Sequence, residues 1–169
     1  MNRELKEIVW GQFGAAIDML ENAIVACPEM VWSDRTRKPE FWYVAYHTLF
    51  FLDLYLSDSS DGFAPPSPFT LSEMDPSGLM PPRVYTKEEL RAYLAHGRQK
   101  CRTAIATLTD ESARRHCAYG SIQGTTLEKH IYSGRHVQHH AAQLNLILRQ
   151  TTDSAPGWVG RASPLTDAR

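Results

Sequence analysis

His136 and His140 stand four residues apart in the stretch Ser133-Gly134-Arg135-His136-Val137-Gln138-His139-His140-Ala141-Ala142-Gln143. On a helix advancing about 100° per residue, the two imidazoles lie one above the other, roughly 40° apart around the axis, with Gln143 beside them. Rings so placed can converge on one metal ion, as the His-x-x-x-His pairs of zinc enzymes do. The same spacing also suits two core histidines satisfied by hydrogen bonds. Val137, Leu144, Ile147 and Leu148 continue the arc, so the pair projects from the face predicted to meet the core, where polar rings need partners. His139 lies about 100° from His140, toward the polar side, and is expected in solvent or behind the ligands.

His47 offers a third nitrogen. It lies in residues 41–56, an apolar run rich in aromatic side chains, on an arc with Tyr43, Phe50, Phe51 and Leu54. Desolvation on that arc is expected to keep the ring neutral and suited to a metal; a tautomer held by one buried hydrogen bond is the alternative. Asp53 falls on another arc and reads as surface, as a contact to a neighbouring helix or as support for the ligands.

Four segments carry the spacing of threes and fours that positions such rings: residues 3–27, 41–56, 86–108 and about 126–150. Thr86 with Glu89 and Thr125 with Glu128 have capping-box spacing at the starts of the last two. Gly11 and Gly14 weaken the first helix by about 1 kcal/mol each, so packing must compensate or another helix must approach there. Arg91, Arg98, Lys100 and Arg102 read as a solvated face of the third helix, and His96 as surface. Residues 57–85 hold six prolines and form a long connection, able to travel the roughly 30 Å of a helix and start the next from the opposite end. Its Phe63, Phe69, Leu71, Met74, Leu79 and Met80 suit a lid or packing anchors. Residues 109–124 read as a turn-rich link without strands, and the tail from 151 brings Trp158 as an aromatic anchor. The expectation is one all-α domain over residues 1–169, a four-helix bundle with helices two and three parallel. Leu127 and Ile131 fall outside the core stripe and suggest a covered loop or a second subunit.

Eighteen basic against nineteen acidic residues give a net charge of -1, with no long run of either sign, so no nucleic acid and no anionic membrane surface is expected as a partner. Cys27, Cys101 and Cys117 are odd in number and lack a C-x-x-C arrangement, which fits reduced thiols in the cytoplasm rather than disulfides or a thiolate metal site. Charges recur through residues 1–7, unlike a signal peptide, and the run 41–56 is shorter than the roughly 18–20 residues that span a bilayer.

His47 in a very apolar second helix, followed by His136-Val137-Gln138-His139-His140 with Gln143 in a fourth, resembles the DinB-like family of metal-binding four-helix bundles over most of the chain. The resemblance implies an up-down-down-up helix order and a divalent metal, zinc or nickel, held by His47, His136 and His140. It differs at Ala141-Ala142, where many members have Arg-Gly, so a substrate contact from that arginine has no counterpart here. Members include thiol-dependent transferases and isomerases beside bundles with no known reaction, and some form homodimers.

These readings imply a metalloenzyme in which three neutral imidazoles leave a coordination position open for water or a low-molecular-weight thiol that attacks a small electrophilic substrate. Tyr43, Asp53, Glu128 and Tyr132 are the candidate general bases. A metal-dependent hydrolase, a non-catalytic metal- or ligand-binding bundle acting in stress response, and a structural dimer with hydrogen-bonded histidines are the rivals.

Overall fold

The computed structural model describes residues 1–119 and 122–165; the end of the tail and the centre of the link between the third and fourth long helices lie outside the described residues. The chain is mostly helical. Four long helices, α1 (Arg3–Ala26), α3 (Phe41–Tyr55), α4 (Lys87–Thr107) and α6 (Thr126–Thr152), follow the expected segments closely. Two short ones, α2 (Glu29–Trp32) and α5 (Asp110–Arg114), lie in the connections. α6 packs along both α1 and α3, and α4 packs against the same two helices. Among the described residues, no helix is long and apolar enough to cross a membrane.

Local chemistry sets the helix ends. Thr86 with Glu89 and Thr125 with Glu128 each exchange the two hydrogen bonds of a capping box, which satisfies amides that the first turn leaves without partners. Pro28 caps α2 from outside its first turn, and Asp153 ends α6 in the left-handed conformation.

The core between the long helices is aromatic. Phe69, from the connection, stacks on Tyr93 at 4.3 Å between centroids and packs against Tyr46 and Tyr85. Phe63 meets Phe50 edge-on. Of the six apolar residues proposed as lid or anchors, these two anchor the connection, whereas Leu71, Met74, Leu79 and Met80 are exposed.

The expectations for the link, the tail and the basic face of α4 are corrected. The link 109–124 contains α5 and a two-stranded antiparallel sheet, β1 (His116–Tyr119) with β2 (Ile122–Thr125), whose strands are too short to show a period of two. At Gly11 and Gly14 the first of the two expected outcomes holds, with packing supplied by the C-terminal tail: a Cβ on Gly14 would lie 2.6 Å from the Ala162 Cβ, and Ala162 N donates to the Gly11 carbonyl at 2.9 Å. The tail's buried anchor is Ala162, with Trp10 Nε1 donating to the Ser163 carbonyl, while Trp158 is 73 % exposed. Nor is the basic face of α4 simply solvated: Arg98 pairs with Asp18 and Glu21 of α1, and Lys100 reaches Asp53 of α3. Long aliphatic stems let such cations lie along the protein and still place the charge on a partner.

Candidate metal centre

His47 sits mid-way along α3, and His136 and His140 occupy successive turns of α6 where the two helices pack. Ring centroids of His47 lie 5.4 Å from His136 and 4.8 Å from His140, and the α6 pair is 4.4 Å apart. One nitrogen from each ring falls within 4.8 Å of the others. The fold therefore brings together all three of the residues singled out from spacing. All three are half-buried, and the His47 side chain keeps 27 % exposure, so the site is a rim of the core rather than its centre.

Hydrogen bonds fix the tautomers of two rings. His47 Nδ1 lies 2.7 Å from the Glu73 Oε2, and His140 Nδ1 lies 2.7 Å from the Gln143 Oε1. A carboxylate or amide oxygen only accepts, so each Nδ1 carries the proton and each Nε2 keeps its lone pair. The Nε2 atoms of His136 and His140 are 3.1 Å apart, close to the edge of about 3.3 Å of a tetrahedron with nitrogen bonds of 2.0–2.1 Å. Burial, then the neighbouring rings, depress the His136 pKa to about 3; burial lowers that of His140 too, against the Gln143 bond. Both rings are neutral at pH 7, the form that ligates. The His47 and His140 lone pairs are left for a third partner, the His136 Nδ1 meets none, and the donor set of three imidazoles fits a divalent metal of intermediate softness.

Aromatic rings wall the site. Phe51 lies 4.8 Å from His47 and 5.7 Å from His136, and Tyr55 lies 5.7 Å from His136 with Tyr132 edge-on beyond it. The Tyr43 hydroxyl donates to Glu73, and burial, then that carboxylate, push its pKa up. Tyr43 is thus a donor at neutral pH, not a base.

Two other candidate bases are elsewhere. Asp53 is buried and bonded to Tyr93 and Lys100 with His96 nearby, and Glu128 is engaged in the cap of α6. His139 is exposed, with its Nε2 3.1 Å from the Gln143 Nε2. Sequence reasoning missed Glu73. It stands in a 3-10 turn, Ser72–Met74, of the long connection, and only the tertiary docking of that turn brings it to His47.

A second feature lies across α6. The outer turns of α1 and α6 enclose an apolar groove of about 480 Å³, lined by Leu5, Ile8, Phe13, Leu127, Ile131 and Trp158 among others. The chain matches no family model, no curated protein and no solved structure.

Proposed function

We propose that the chain is a DinB-like four-helix bundle, with α1, α3, α4 and α6 in up-down-down-up order, that binds one divalent ion, zinc or nickel, through His47, His136 and His140. The observation that carries this reading is the approach of three ligand nitrogens within 4.8 Å of one another. The length of the connection between α3 and α4 supports the helix order, since it suffices to run back along a helix.

Bound there, a divalent ion supplies a Lewis acid with an open coordination position, able to lower the pKa of a small thiol. The activity is then S-transfer to, or isomerisation of, an electrophilic small molecule with a low-molecular-weight thiol as co-substrate. Burial pushes the Cys27 thiol up to about 12 and that of buried Cys101 further, so neither of these two is a nucleophile at neutral pH. Phe51, Tyr55 and Tyr132 present an apolar flank to such a substrate. In this reading the protein works in the cytoplasm, where small thiols stay reduced, and a second copy covers the α1/α6 groove to make a homodimer.

The test is elemental analysis and metal titration of protein purified without a His tag, beside His47→Ala, His136→Ala and His140→Ala. One ion per chain in the wild type, lost in each variant, is the expected result; no uptake under saturating zinc or nickel overturns it. Binding of a small thiol to the loaded protein separates the transferase from a metal-binding bundle without catalysis. Light scattering at micromolar concentration that returned only a mass near 19.1 kDa would overturn the dimer.

A further inference from the structure

Glu73 enters the site from a segment that contributes none of the three nitrogens. Its side chain is 5 % exposed and its Oε2 lies 2.7 Å from the Nδ1 of His47. The turn that holds it is fastened to α3: the Tyr46 hydroxyl donates to the Thr70 carbonyl at 2.8 Å, and lies 3.3 Å from the hydroxyl of buried Ser72. A buried carboxylate is expensive to desolvate unless cations or several donors face it. Among the described residues Glu73 meets no lysine or arginine; its donors are one imidazole and the Tyr43 hydroxyl. The charge is therefore only partly compensated within the fold, and it stands one ring away from the place where the three ring nitrogens approach one another.

We infer that Glu73 is the positioning residue of the metal centre, and that metal uptake and docking of the 57–85 connection form one linked equilibrium. The inference rests on the reading of His47, His136 and His140 as metal ligands. By holding the proton on Nδ1, Glu73 leaves the Nε2 of His47 unprotonated and fixes the ring plane; a carboxylate behind a ligating histidine also raises the basicity of the nitrogen in front. A cation held by His47 in turn offsets the buried charge through the ring. Linkage makes the effect reciprocal: the factor by which the docked connection raises metal affinity is the factor by which metal favours the docked connection.

A structural role alone would give a different pattern. If Glu73 only pinned the connection, its removal would loosen residues 70–76 and leave zinc affinity unchanged. The experiment is zinc titration against a chelating indicator, together with amide hydrogen exchange, on the full chain as wild type, Glu73→Gln and Glu73→Ala. Glu73→Ala is expected to bind zinc about 10–100-fold more weakly, with Glu73→Gln between, since its amide oxygen still accepts from Nδ1 but carries no charge. Zinc is expected to slow exchange at residues 70–76 in the wild type and not in Glu73→Ala. An alanine variant that binds within about twofold of the wild type, or wild-type exchange indifferent to zinc, overturns the inference while leaving the triad intact. Should Glu73→Ala fail to fold, the near-isosteric Glu73→Gln decides, and wild-type affinity in it overturns the proposal. Wild-type protein that takes up neither zinc nor nickel overturns the metal-site reading itself, and this inference with it.

Discussion

Asp53 and His47 both interrupt the apolar run of α3, and the fold treats them in opposite ways. Asp53, the more buried, is closed off by α4: Tyr93 Oη donates to Oδ2 at 3.1 Å, Lys100 Nζ donates to Oδ1 at 2.5 Å, and His96 Nε2 lies 3.4 Å away. Lys100 also donates to the Asp53 carbonyl and to the Ser57 hydroxyl, near the end of α3. Negative charge meets positive charge, and donors meet lone pairs. His47 has one nitrogen satisfied by Glu73, while its ring faces two further imidazoles. His140 has its Nδ1 proton committed to Gln143 as well, so the His47 and His140 rings offer lone pairs toward His136, whose own Nδ1 meets no partner. Burial thus does not separate a structural polar group from a candidate ligand; the chemistry of the partners does.

That contrast is sharpest in stability measurements. Asp53→Ala leaves the buried Tyr93 hydroxyl without its acceptor and takes the counter-charge from Lys100, which keeps the residue-53 carbonyl and Ser57, and should cost about 3 kcal/mol in urea unfolding. The variant should still gain the full increment from zinc. A loss below about 1 kcal/mol would show that solvent replaces Asp53 easily, and would break the comparison from its structural side.

The triad should behave in reverse. Zinc at about a hundred times its dissociation constant should stabilise the wild type by about 2.7 kcal/mol, the mass-action value for one site. His47→Ala, His136→Ala and His140→Ala should lose that increment at the same zinc concentration while keeping most of the metal-free stability. Variants that lost metal-free stability as Asp53→Ala does would mark the histidines as core groups held by hydrogen bonds.

The sequence made some of this legible and hid the rest for physical reasons. The long helices show because apolar residues recur at threes and fours and because Thr–Glu pairs mark two starts, features that need no tertiary contact. His136 and His140 show because one helix fixes their mutual direction. His47 shows as a polar ring in an apolar run, and the expected desolvation is partial, since that arc of α3 emerges at the rim. Glu73 does not show, because a proline-rich connection has no periodicity from which to project a side chain. The same holds for the tail residues over Gly11 and Gly14, whose close approach can be inferred from the glycines although the partner cannot. Lys100 and Arg98 were hidden by their composition, since a cation on a helix face looks solvated until its acid on the neighbouring helix is placed.

His130, on the groove side of α6, tests burial without a ligand partner. It is 4 % exposed, its Nδ1 meets no partner, and burial followed by the Lys129 charge holds its pKa down at about 4. The folded value lies below the unfolded one of 6.5, so the unfolded chain takes up the proton first as pH falls. The neutral ring's contribution is therefore complete above pH 6.5 and is lost progressively down to about 4. Between pH 7.5 and pH 5 this should cost the wild type about 2 kcal/mol more than it costs His130→Leu, at about 1.4 kcal/mol per unit. Parallel pH profiles in urea would mean that the ring is open to water.

The smallest effect is expected at His139, and it fixes where the open demand for a cation ends. Its Nε2 is 3.1 Å from the Gln143 Nε2, and the Gln143 Oε1 in turn is 2.7 Å from the Nδ1 of His140. His139 thus stands behind an amide that stands behind a candidate ligand. Removing it lets the Gln143 amide donate to water while its oxygen keeps the His140 tautomer, so zinc affinity in His139→Ala should change by about threefold or less. Gln143→Ala removes the acceptor itself and should cost about tenfold, the lower range for a residue that orients a ligating histidine. The two variants, compared by zinc titration with His140→Ala, form a graded series along one chain of hydrogen bonds. If His139→Ala costs as much as His140→Ala, the exposed ring is itself a ligand, and partner chemistry inside the α3/α6 contact no longer bounds the site.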